Sequence, residues 1–85
     1  MRPELIIVEI ERGPQGGYYA GSRDLKGLHV LENSRDALLA EIPRVIEELM
    51  AANNKSVSAK PIDFASDKYV IFVAVPAHGD LDLCA

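Results

Sequence analysis

The sequence predicts a small α+β domain of order β-β-β-α-β, a single mixed sheet with one helix on one face. Three observations carry this. Leu38, Leu39, Ile42, Val45, Ile46, Leu49 and Met50 recur at three- and four-residue spacing, which is one face of a long helix. Leu5 to Glu11 and Lys68 to Val75 show the alternation of strands. Between them, Arg12 to Gly17 and Asp24 to Gly27 carry turn chemistry rather than periodicity.

In the first strand, Ile6, Val8 and Ile10 take one face, and Leu5, Ile7, Glu9 and Glu11 the other. Arg12-Gly13-Pro14-Gln15-Gly16-Gly17 is a loop, and Tyr18 to Arg23 is a second strand, most simply antiparallel to the first. Gly21 inside it suggests a bulge or a close backbone approach. Asp24-Leu25-Lys26-Gly27 turns the chain into a short third strand, Leu28 to Leu31. Asn33 or Ser34 caps a helix from Arg35 to Ala52, because a short side-chain oxygen can accept from a free N–H of the first turn. Pro43 falls mid-helix, where a missing N–H and a ring clash cost about 3 kcal/mol; the stripe stays in phase across it, so a kink or a break near Ile42 is expected. Asn53-Asn54 ends the helix.

Lys55 to Asp67 is polar and holds Pro61, yet also Val57, Ile62 and Phe64; part of it is expected as an extended segment at the sheet edge. The last strand is apolar on both faces, with Tyr69, Ile71, Val73 and Val75 on one and Val70, Phe72 and Ala74 on the other. A right-handed crossover would set it beside the first strand and parallel to it, in spatial order 3-2-1-4. Residues 1–76 then form one domain and 77–85 a weakly ordered tail. One helix cannot cover both sheet faces. With the strands aligned that way, Leu5, Ile7, Val70 and Phe72 share the uncovered face and are the expected self-association surface of a homodimer; the competing expectation is that Ile62 and Phe64 fold back over it.

Composition narrows the function. Nine basic against thirteen acidic residues give a net charge of −4, which disfavours a phosphate-binding surface and specific DNA binding. No apolar run approaches the length of about 20 residues needed to span a bilayer. A single cysteine, Cys84, excludes an internal disulfide and, with no signal-peptide pattern, points to the cytoplasm.

No motif carries reaction chemistry. His29 and His78 lack metal-ligand spacing, and Cys84 has no base near it in sequence. Glu4, Glu9 and Glu11 could suggest a metal-binding carboxylate cluster but fit a solvated strand better, and Glu47 and Glu48 an ordinary wet helix face. Gly13, Gly16 and Gly17 precede a strand, whereas a phosphate-cradling loop opens a helix. Tyr18 and Tyr19 could stack bases, but too few cations lie near them in sequence. No catalytic residue, cofactor or metal is expected.

Three runs together resemble a family: Gly16-Gly17-Tyr18-Tyr19-Ala20, then Asp24-Leu25-Lys26-Gly27-Leu28, then Asn33-Ser34-Arg35-Asp36 opening a helix. They are similar to the N-terminal domain of HicB-type antitoxins, and with Ile42-Pro43 and Glu48-Leu49-Met50 to Asn53 look closest to its short stand-alone members. Lys26 stands where proline is usual, and Asn33-Ser34 where the family has Asp-Thr. The resemblance implies a truncated ribonuclease-H-like fold without nuclease chemistry. It implies a non-catalytic protein-interaction domain, an antitoxin-like or orphan regulatory partner of a small basic RNA-cleaving toxin. The chain shows no helical pattern after its last strand that would supply the family's DNA-binding domain. The alternative is a small enzyme or RNA-binding module descended from a ribonuclease-H-like fold.

Overall fold

The computed structural model describes residues 2–77. Among these the chain forms β1 (Glu4–Arg12), β2 (Tyr18–Gly21), β3 (His29–Glu32), α1 (Arg35–Ala52), β4 (Val57–Asp63) and β5 (Tyr69–Pro76). The strands make one open sheet in the order β3-β2-β1-β5-β4, with every neighbouring pair antiparallel. The helix covers one face. His78 and Cys84, and all but the first residue of the expected tail, lie outside the described residues.

Two expectations about the sheet are corrected together. The last strand does lie beside β1, but antiparallel rather than parallel, and the order is not 3-2-1-4 because a further strand, β4, occupies the edge. The cause is a matter of counting. Antiparallel neighbours reverse at each step across the sheet, so β3, β1 and β4 share one direction. After the helix, β4 runs in that shared direction, and the β4–β5 hairpin then reverses β5 into the slot between β4 and β1. One strand hidden in a polar stretch therefore inverts the strand after it.

The core follows the alternation. Ile6, Val8 and Ile10 of β1 lie with Ala20, Val30, Val70, Phe72, Ala74, Val57 and Ala59 on the inner face, against Leu38, Ile42, Ile46 and Met50 of the helix. Leu39, Val45 and Leu49 pack at its margin. Ser34 caps the helix by accepting from the Ala37 N–H at 3.1 Å. The helix is a single 18-residue element through Pro43; its buried stripe on the sheet compensates for the missing backbone bond. Gly27 has φ +91°, a conformation that favours glycine in the turn into β3, and a Cβ there would meet Leu49 Cδ2 at 3.2 Å, so that side chain would have to shift slightly. Among the described residues no helix is long and apolar enough to cross a membrane.

Candidate interaction surface

The face turned away from the helix is set by the register of β1 against β5. Ile6 sits opposite Phe72 and Val8 opposite Val70, while Leu5 sits opposite Val73 and Ile7 opposite Ile71. Residues directly opposite in a sheet share a face. The outer face is thus built on Leu5, Ile7, Ile71 and Val73, extended by Tyr69 and Val75. Leu5 is 62% exposed and Ile7 46%. This corrects the expected surface at two of its four residues. Val70 and Phe72 are both 0% exposed and belong to the core beneath the helix. The missed pair, Ile71 and Val73, was visible as the other half of the same alternating strand; what sequence could not give was which half shares a face with Leu5.

Nor does the segment after the helix fold back over this face. Its first part is the edge strand β4, and Ile62 and Phe64 are themselves exposed. Lys60 pairs with Val73 and Asp63 with Ile71, so both stand at the outer-face margin on β4. A register shift between Pro61 and Asp63 marks an irregularity there. Proline, lysine and such a shift all blunt an open edge against strand addition.

The opposite margin is unusual. The β1–β2 ladder stops at Glu9–Gly21, and beyond it side chains take over the work of a strand. Ser22 Oγ donates to the Ile7 carbonyl at 2.7 Å, and the Ile7 N–H donates to Asp24 Oδ2 at 2.8 Å. The backbone of Ile7 is satisfied on that side without a neighbouring strand. Arg23, between those two residues, pairs loosely with Glu9 at 3.8 Å. Further along the same face, Tyr19 and His29 stack with ring centroids 5.9 Å apart, and the Tyr19 hydroxyl shares a 2.5 Å hydrogen bond with His29 Nδ1.

The polar residues considered as sites are dispersed. Glu9 and Glu11 line the outer face beside Tyr19, but Glu4 pairs with Lys55 at 3.3 Å at the far end of β1. Among the described residues no group of three or more histidines, cysteines or acids is placed to hold a metal ion. Glu47 departs from the expected wet helix face: its Oε2 accepts from the Ala59 N–H at 2.9 Å and so occupies an edge amide of β4. Arg44 bridges Glu41 and Glu48 on the helix, and the hydrogen bond and charge of Glu41, then the charge of Glu48, raise its pKa. That is a surface network. Arg12, Arg35 and Lys68 line a hollow of about 620 Å³ beside the start of the helix, with Arg12 held over the Tyr18 ring at 5.7 Å. Glu11 and Asp67 line the same hollow and offset most of its charge.

Comparison of the chain with known family models, curated proteins and solved structures gave no match in any of the three.

Proposed function

We propose that this chain is a non-catalytic protein-interaction domain whose working surface is the outer face of the sheet. The observation that supports this reading is the contiguous apolar strip of exposed Leu5 and Ile7 with half-buried Ile71 and Val73, on the face that the helix does not cover. Apolar patches of several hundred Å² on soluble domains mark contact surfaces. In its finer form the reading is an antitoxin-like or orphan regulatory partner of a small RNA-cleaving toxin, acting in the cytoplasm without specific DNA binding. Support for that form comes from the HicB-like turn and cap residues, Gly16 to Ala20, Asp24 to Leu28 and Asn33 to Asp36, and from a net charge of −4, which suits a basic partner.

The test is site-specific photo-crosslinking in living cells. A crosslinking amino acid at position 5 should give discrete protein adducts, and the same group at Ala40, exposed on the helix, should give none. Equal labelling from both positions, or no adduct at position 5, overturns the reading.

A further inference from the structure

We infer that the occupant of the outer face is a second copy of this chain, related by a two-fold axis that runs along the strands between β1 and β5. This rests on the outer-face reading above and names its partner. The register supplies the arrangement. Such an axis lays β1 of one copy over β5 of the other without shifting along the strands, so Leu5 meets Val73 of the second copy and Ile7 meets Ile71. Over Leu5 and Ile7 of β1 and Ile71 and Val73 of β5 both strands flanking the axis are apolar on this face, so self-pairing buries apolar against apolar there, with Glu9 over Tyr69 at one end. Sheets stacked this way keep their strands nearly aligned, the common packing of sheet on sheet.

The margins fit the same axis. The position one strand outward from β5 falls over the position one strand outward from β1. On the β5 side that position is β4, carrying Lys60 beside Val73 and Asp63 beside Ile71. On the β1 side it is the Ser22–Asp24 turn, fixed alongside Ile7 by two hydrogen bonds and carrying Arg23 and Asp24. The axis therefore sets Asp63 of one copy toward Arg23 of the other, a pair of opposite charges made twice by the symmetry. An unrelated partner would need to reproduce this match; a second copy has it already.

Sedimentation velocity on the purified chain across the micromolar range tests this. The wild type should dimerise. Ile7→Glu should raise the dissociation constant about thirtyfold or more with an unchanged circular dichroism spectrum, as expected for a central contact. Leu5→Lys, at a more exposed position, repeats the measurement if Ile7→Glu fails to fold. Asp63→Arg should weaken the dimer about tenfold, and Arg23→Asp in the same chain should restore it. A monomer throughout overturns the inference; if position 5 nevertheless crosslinks to a different protein in cells, the surface reading stands alone. A dimer indifferent to Ile7→Glu and Leu5→Lys, or one that the double charge exchange does not restore, overturns the arrangement.

Discussion

Asp24 holds the amide of Ile7: its Oδ2 accepts that N–H at 2.8 Å across seventeen residues of chain, where a strand would otherwise have paired. Ser22, accepting from the Asp24 N–H at 3.1 Å and donating to the Ile7 carbonyl, closes the same small network. The side chains of a turn thus finish a sheet that β2 leaves incomplete. They also place Arg23 and Asp24 at the rim of the bare face.

Removing this bond has a defined cost. Asp24→Ala leaves the Ile7 amide to water at an exposed site, so a loss of about 1 kcal/mol is expected in urea denaturation. Asp24→Asn keeps an acceptor and should recover most of it. Equal losses in the two variants would mean that the carboxylate acts through charge rather than through this bond.

Two glycines with the same backbone conformation should respond differently. Gly16 and Gly27 both have φ +91°, but a Cβ at Gly16 meets nothing within 4 Å, whereas at Gly27 it meets Leu49. Both Gly→Ala changes should destabilise by roughly 1 kcal/mol for the strained conformation. Gly27→Ala should lower the melting temperature further, by the cost of moving Leu49.

The facing of the sheet is directly measurable. Phe72→Ala opens a cavity in the core and should cost about 3–5 kcal/mol. Leu5→Ala, on the other face, should cost well under half of that at a dilution where chains do not associate. Similar values for the two would contradict the register of β1 against β5.

Glu47 guards an edge. With its carboxylate removed in Glu47→Ala, the Ala59 amide of β4 loses its acceptor and about 1–2 kcal/mol of stability. Native-state hydrogen exchange should show the Ala59 amide exchanging faster, while amides of β1 and β5 shift only with global stability.

Much of this fold was legible because it is local. The helix bounds, a cap at Asn33 or Ser34 (Ser34 in the structure), its buried stripe and the inner set Ile6, Val8 and Ile10 follow from spacing and capping chemistry within a few residues. β4 was legible only as an extended edge segment somewhere within Lys55 to Asp67, not in its bounds or its pairing with β5, because its Lys60-Pro61-Ile62-Asp63 end is polar and only Val57 and Ala59 reach the core. The roles of Glu47 and Asp24 were equally hidden, since each bonds a backbone amide more than ten residues away.

The sequence by itself determined which residues alternate in each strand and which stripe of the helix is apolar, since both are periodicities of the backbone. Whether Phe72 or Ile71 shares a face with Leu5 was decided only by tertiary structure. Alternation divides a strand into two sets without saying which set meets which set of its neighbour. That choice belongs to the inter-strand register and to the direction of the chain, and here one polar edge strand reversed the direction of β5. The register put Phe72 under the helix and left Ile71 and Val73 beside Leu5 and Ile7 on the open side.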